Sequence, residues 1–173
     1  GANADVSAGN LSNSPAVGAS AIVDASNKIR LGNDSVTVVE TSGDFSTING
    51  NFNLPATTAT TGIIMSDDNP FIHRFGDNNF FAGVGAGNFT MTGSNNTAVG
   101  TEALLDNTSG SSNTAVGINA LLRNTNGFQN TGTGTSALVR NTTGSNNTAV
   151  GVSPLNHNTT GSDNLAIGFQ ALG

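Results

Sequence analysis

The residues best suited to metal binding or acid–base chemistry are few and far apart in this chain. His73 and His157 are the only histidines, and cysteine is absent. Protein metal sites draw several ligands at short, regular spacings, which two isolated histidines do not provide. A histidine could still hold an ion where several copies of the chain meet on an axis. We keep His73 as a metal candidate for that case alone, since an ordinary core or surface histidine is the simpler interpretation.

The sequence also lacks the groups of residues that hydrolytic catalysis needs. A catalytic triad needs a histidine base beside a nucleophile, and glycosidases need paired carboxylates. The carboxylates of the second half, Glu102, Asp106 and Asp163, do not recur at a fixed spacing. The glycine-rich "GVGAG" at 83–87 has the density of a phosphate loop, but no Lys-Ser or Lys-Thr follows it. We therefore predict that the chain is not an enzyme and uses no cofactor.

Small, uncharged residues recur instead. The segment "NTAVG" begins at positions 96, 113 and 147, and variants of it begin at 79, 130 and 164, so that the sequence repeats with a period of 17. Counted from its first asparagine, each unit has Asn at position 1 and Gly at position 5, and each complete unit has Gly at position 15. The first two columns include Asn96, Gly100, Asn113, Gly117, Asn130, Gly134, Asn147, Gly151, Asn164 and Gly168. Such a fixed period is typical of a stacked β-solenoid.

Each column of the repeat predicts a place in the coil. Short strands are expected at positions 2 to 5 and around positions 7 to 10, with corners at the glycines. Asparagine stacked on asparagine predicts side-chain amides that hydrogen-bond along the stack. Apolar residues at positions 4 and 9, such as Val99 and Leu104, predict two core columns, with alanine at positions 3 and 8 where only a small side chain fits.

The composition limits the partners of such a coil. Five basic residues and a net charge of −6 argue against nucleic acid. No apolar run reaches the ~20 residues of a membrane span, so no membrane insertion is expected from this segment. A single chain buries little apolar surface in so narrow a coil. Several chains that share their apolar faces would bury more. We predict a homotrimer, although composition and period do not themselves fix the number three.

The units "NTAVGINAL" and "NTAVGTEAL" resemble the head repeats of trimeric autotransporter adhesins and of phage tail-fibre-like surface proteins. The resemblance covers 79–173 and implies a left-handed parallel β-roll in each chain, with three rolls packed as a trimer. The familiar adhesin repeat is shorter than the one in this chain, which we attribute to an enlarged "NTTG" corner. A similar signature occurs once near the N-terminus, in "SPAVGASAIVDASNKIRLGND".

These patterns divide the chain into two parts. Residues 1–78 are predicted to form a short β-rich head or connector with one roll-like segment near 15–34, and residues 79–173 form the repeat. A candidate capping or ligand-binding patch lies around the junction and consists of Phe71, Phe75, Phe80, Phe81 and Phe89. Capping the open end of the first coil is the simpler interpretation of these rings. Contact with a partner such as a glycan is the alternative.

Together these features predict a structural and adhesive segment of a trimeric fibre on a bacterial cell or a phage-like particle. Its partner would be a glycan or protein on a host, prey or environmental surface. The repeat stops partway through a unit, at its position 10, so we expect a piece of a longer fibre whose export signal and anchor lie elsewhere. Two alternatives stay open. A tail spike, catalytic or not, would act on surface polysaccharide, and an ice-binding solenoid would use the row Thr97, Thr114, Thr131 and Thr148.

Overall fold

The computed structural model describes four pairs of residues near the N-terminus, residues 57–58, and residues 62–173. The chain divides into two compact units, Gly1–Phe52 and Asn53–Gly173. Most of the predicted head, including most of the roll-like segment near 15–34, lies outside the described residues.

The described residues of the first unit form two pairs of short parallel strands. One pair is β1 (Asp5–Val6) with β3 (Ile22–Val23), and the other is β2 (Ala16–Val17) with β4 (Arg30–Leu31). Asp5 lies opposite Ile22, 17 residues further along the chain, and this separation equals the period of the repeat in the second unit.

Residues 62–173 of the second unit form one sheet of eight short strands, which follow one another in chain order. The first three strands pair antiparallel, and every later pair is parallel. Parallel partners are separated by one repeat, as Thr114 and Thr131 are. No helix occurs in residues 62–173, and the parallel strands form a β-solenoid of about 5 turns. The strands are β5 (Ile64–Ser66), β6 (Asn69–His73), β7 (Phe80–Ala82), β8 (Thr97–Val99), β9 (Thr114–Val116), β10 (Thr131–Thr133), β11 (Thr148–Val150) and β12 (Leu165–Ile167).

One coil, residues 113–129, shows how the repeat folds. Its only strand is β9, after which Gly117 redirects the chain with a φ of 132°. Turns follow, yet hydrogen bonds between coils continue through them. The backbone N–H of Leu121, for example, donates to the carbonyl of Ala137 over 2.9 Å. Because such bonds join neighbouring coils, the stack is held together well beyond its strands.

The sequence predicts a second strand around positions 7 to 10 of each unit, and this prediction is wrong. Asn119 and Leu121, at positions 7 and 9, have left-handed φ angles of 58° and 52°. The other coils repeat this alternation, for instance at Glu102 and Leu104. A strand needs consecutive extended residues, so the chain makes successive turns here instead.

The core of each coil is narrow. In the coil 113–129, Ala115 at position 3, Ala120 at position 8 and Leu121 at position 9 are fully buried. Only the leucine is large, so each such coil buries one big apolar side chain. The same columns continue through Ala86, Ala98, Ala103, Leu104, Ala137, Leu138, Ala149, Leu155 and Ala166.

The valine column at position 4 does not belong to this core, contrary to the prediction from sequence. Val99 and Val116 each keep 38% of their surface exposed. Successive side chains of a strand point to opposite faces. Since the alanine at position 3 points inward, its neighbours at positions 2 and 4 lie on the outer face.

Two glycine columns allow the coils to approach each other. A Cβ added to Gly117 would lie 2.6 Å from the carbonyl oxygen of Gly134, and the φ of 132° there also favours glycine. At Gly127, a Cβ would collide with the carbonyl oxygen of Gly144 and the side-chain oxygen of Asn124. Position 5 therefore needs glycine for conformation and space, and position 15 needs it for space.

Candidate functional site

Two columns of asparagine run through the solenoid and meet at the glycine of position 15. In the first column, Asn113 Nδ2 donates to Asn96 Oδ1 (3.2 Å) and to the carbonyl of Gly127 (2.8 Å). In the second, at position 12, Asn124 Nδ2 donates to Asn107 Oδ1 and to the same carbonyl, both over 2.9 Å. The predicted amide ladder is therefore present, and it is double.

These repeat positions lie inside the coil rather than on a binding surface. Asn96, Asn113, Asn130 and Asn147 are fully buried. Asn164 in the last coil is half-buried, and its Nδ2 still donates to Asn147 Oδ1 over 2.9 Å. The amide groups of both columns thus hold coil to coil.

His73 is packed among aromatic rings at the start of the solenoid. Its ring lies 4.8 Å from that of Phe81 and 4.4 Å from that of Phe89, and the residue is buried. Nε2 donates to the carbonyl of Ala86 (2.9 Å), and Nδ1 accepts from the backbone N–H of Phe75 (3.4 Å). Burial lowers the pKa of His73, and the hydrogen bond to Ala86 opposes that shift in part. With both nitrogens occupied, the ring is a neutral part of the packing and offers a metal ion no free nitrogen.

The structure separates the five phenylalanines into two groups. Phe81 is fully buried, and Phe75 and Phe89 are half-buried and meet edge to face at 5.5 Å. These three rings pack with His73 at the first coil. Phe71 and Phe80 remain 42% and 48% exposed and are available to a partner.

A row of seven apolar residues and one threonine crosses the outer face of the eight strands described in the second unit. Each member lies directly opposite the next in the sheet, which places all of them on one face. We call this set the outer row, and it comprises Ile64, Ile72, Ala82, Val99, Val116, Thr133, Val150 and Ile167. At about 4.8 Å between strands, seven intervals make the row about 34 Å long.

A second row lies on the same face at position 2. It runs through Phe80, Thr97, Thr114, Thr131, Thr148 and Leu165. The four threonines are half-buried, and no group in the described part of the chain hydrogen-bonds to their hydroxyls. Neither row contains a charged residue, so this face is apolar along its centre and hydroxyl-bearing beside it.

Basic side chains occupy a different column. Arg123, Arg140 and His157 stand at position 11 of three successive coils, and all three are exposed. A count of basic residues over the whole chain hides this column, whereas numbering within the unit reveals it.

Among the described residues, no group of three or more His, Cys, Asp or Glu side chains is placed to hold a metal ion. That part of the chain also has no helix long and apolar enough to cross a membrane.

These features define a β-solenoid repeat protein with 17-residue coils. Comparisons with models of protein families, with curated proteins and with solved structures found no match to this chain. The left-handed coil and the trimer implied by the adhesin resemblance stay predictions.

Proposed function

We propose that this chain is a structural and adhesive segment of a homotrimeric fibre displayed on a cell or a phage-like particle. It binds a glycan or protein on a host, prey or environmental surface. The outer row carries the proposal, because it leaves exposed apolar side chains, interrupted at Thr133, along a stack of hydrogen-bonded coils. Exposed apolar stretches of this kind mark surfaces that contact another molecule.

Copies of the same chain suit the outer row best. The row and its neighbour at position 2 carry no charge, and charged residues are depleted at the centres of protein interfaces. Both rows recur once per coil, so copies related by an axis along the solenoid can match coil against coil. The valines that the sequence assigned to the core of one chain would then form a core shared between chains.

The solenoid supplies reach and stiffness to the fibre. Each coil adds about 4.8 Å of length and is bonded to the next through backbone and buried asparagine amides. Recognition of a target then falls to groups outside the shared face, such as Phe71, which is 42% exposed.

The molar mass in solution tests this proposal. Light scattering on a size-exclusion column should give three times the chain mass of 17.2 kDa. Val116→Lys should reduce the measured mass, because it places an ammonium group in the centre of the shared face. Thr143→Lys changes an exposed residue outside both rows and serves as the matched control. A wild-type mass of 17.2 kDa would reject the fibre.

The threonine row favours ice binding as a second candidate function. Thr97, Thr114, Thr131 and Thr148 point outward in register, about 4.8 Å apart, with hydroxyls unused inside the chain. A regular set of hydroxyl and methyl groups on a stiff face could order water. Self-association through this face would cover the same threonines, so the two functions exclude each other. A monomer that shows thermal hysteresis would support ice binding, and a trimer without hysteresis would reject it.

A further inference from the structure

We propose that Arg123, Arg140 and His157 form a site for an acidic polysaccharide that lies along the solenoid. Carboxylate groups of successive sugars would lie beside successive coils. We call these three residues the basic column. This inference rests on the proposed adhesive function and names the chemical class of its ligand.

The basic column has the spacing of the coils themselves. The backbone N–H of Arg123 donates to the carbonyl of Val139, the residue before Arg140, over 3.1 Å. The two arginines therefore start from adjacent, hydrogen-bonded segments, about 4.8 Å apart. That interval is close to the length of one pyranose unit. A polymer with one negative charge per sugar can thus meet one basic side chain per coil.

The charge of the column is not balanced within its own coils. Residues 107–162 contain no Asp or Glu, and Arg123 and Arg140 are their only Lys or Arg residues. Within the described part of the chain, no ion pair or hydrogen bond involves either guanidinium group. Arg123 and Arg140 lie on neighbouring coils and repel each other, which a bound anion would relieve. Asp106 lies beside Arg123 on the other side, since its backbone N–H donates to the carbonyl of Leu122 over 2.9 Å.

The surroundings of the column favour a thin polyanion over broader partners. Asp106 occupies position 11 of the coil before Arg123, and Asp163 follows in the coil of His157, so acidic residues bound the column along the chain. The whole chain carries a net charge of −6. Nucleic acids and anionic membranes need wide basic surfaces, which a column one side chain wide does not offer. A single polysaccharide strand is narrow enough to lie along the basic column between the acidic residues that bound it.

Titration calorimetry with hexagalacturonate tests the site, and the neutral maltohexaose serves as the uncharged probe. The full chain should bind hexagalacturonate at low salt, bind it more weakly as salt is added, and not bind maltohexaose. Arg140→Gln should weaken binding roughly fivefold, and Arg123→Gln with Arg140→Gln on the order of twentyfold, as expected for exposed ion pairs. Arg74→Gln removes an exposed arginine outside the column and should bind like wild type.

The melting temperature of each variant verifies that the coil is intact. Because the substituted residues are exposed, the melting temperature should stay unchanged. Three results would overturn the site. They are an equal loss of affinity for hexagalacturonate in Arg140→Gln and Arg74→Gln, equal binding of hexagalacturonate and maltohexaose, and no binding of hexagalacturonate. Light scattering on the same samples separates this result from the proposed function. A trimer that ignores hexagalacturonate rejects the basic column and leaves the fibre standing. A monomer rejects the fibre, while the comparison of variants still decides the column.

Discussion

Asn124 lies one coil after Asn107 and donates its side-chain Nδ2 to the Oδ1 of that residue over 2.9 Å. The same Nδ2 donates to the carbonyl of Gly127 (2.9 Å), and Asn124 Oδ1 accepts from Asn141 Nδ2 (2.8 Å). Each buried amide is thus donor and acceptor at once. Since the coil holds few large apolar groups, these satisfied polar columns supply part of the cohesion that a hydrophobic core gives to other folds.

Replacing one amide of this ladder should destabilise the solenoid strongly. Asn124→Asp removes the Nδ2 donor and places a carboxylate beside the Gly127 carbonyl and Asn107 Oδ1, all of which are acceptors. We expect a loss of about 3 kcal/mol or more in the free energy of unfolding, measured by urea titration. Asn126→Asp makes the same change at an exposed position of the same coil and should cost less than about 1 kcal/mol. Similar losses in both variants would contradict a structural role for the ladder.

The glycine column at position 5 allows conformation and space to be tested separately. Gly117→Ala introduces a Cβ at a φ of 132° and 2.6 Å from the Gly134 carbonyl oxygen. Gly168 has a similar φ of 121°, but a Cβ there meets nothing within 4 Å. Gly168→Ala should therefore cost about 1–3 kcal/mol for the backbone alone, and Gly117→Ala about 2 kcal/mol more. Differential scanning calorimetry of the two variants measures the difference, and equal melting temperatures would refute the close contact.

The sequence predicts the solenoid because asparagine and glycine repeat wherever the coils touch. A Cβ at Gly127 or a missing amide at Asn124 would disrupt contacts with the neighbouring coils, so these columns admit few other residues. The period of 17 is therefore visible in the sequence alone. The phenylalanine cluster at the first coil could be located for the same reason, since it lies where the column pattern begins.

Side-chain direction and backbone conformation could not be predicted in the same way. A short strand such as Thr114–Val116 offers too little alternation to reveal which face is buried. Val116 is apolar and nevertheless exposed, because the smaller Ala115 takes the inner side. Leu121 has a φ of 52°, which no propensity of leucine suggests, and only contacts between coils hold it there. The basic column can be found by numbering within the unit, but a surface position follows no packing rule, so the sequence does not reveal that these side chains are exposed.

An unpaired asparagine in one column predicts a stabilising substitution. Position 10 holds Asn88 in the first coil, Leu105, Leu122 and Val139 in the next three, and then Asn156. Asn88 Nδ2 donates to the carbonyls of Leu105 and Asn107, both over 2.7 Å. The Oδ1 atom of Asn156 is buried without a hydrogen-bond partner. Asn156→Leu removes this unpaired acceptor and extends the apolar stretch of the three preceding coils, so it should raise the free energy of unfolding by about 1 kcal/mol. Asn158→Leu serves as the control, because Asn158 Nδ2 bonds to Asn141 Oδ1 (2.9 Å) and its loss should destabilise. Chemical denaturation of both variants should show opposite signs.

The buried histidine should make the stability of the second unit depend on pH. Folding lowers the pKa of His73 below its ordinary value of 6.5, because burial disfavours the imidazolium. Below pH 6.5 the unfolded chain therefore binds more protons than the folded chain. It follows that the free energy of unfolding falls as the pH drops below 6.5, and that this loss ends once the pH is below the folded pKa. The protonated ring would also set an Nδ1–H against the backbone N–H of Phe75.

Urea titrations at several pH values, for wild type and His73→Gln, measure this contribution. The variant should be less stable at neutral pH, because it loses the ring packing against Phe81 and Phe89. It should also show a smaller fall in stability below pH 6.5, since glutamine takes up no proton. His157→Gln changes an exposed histidine that touches none of these groups and controls for the substitution itself. If the free energy of unfolding falls in parallel with pH for wild type and His73→Gln, the ring is not the group that titrates. A steeper fall for wild type would assign the acid sensitivity of the first coil to His73.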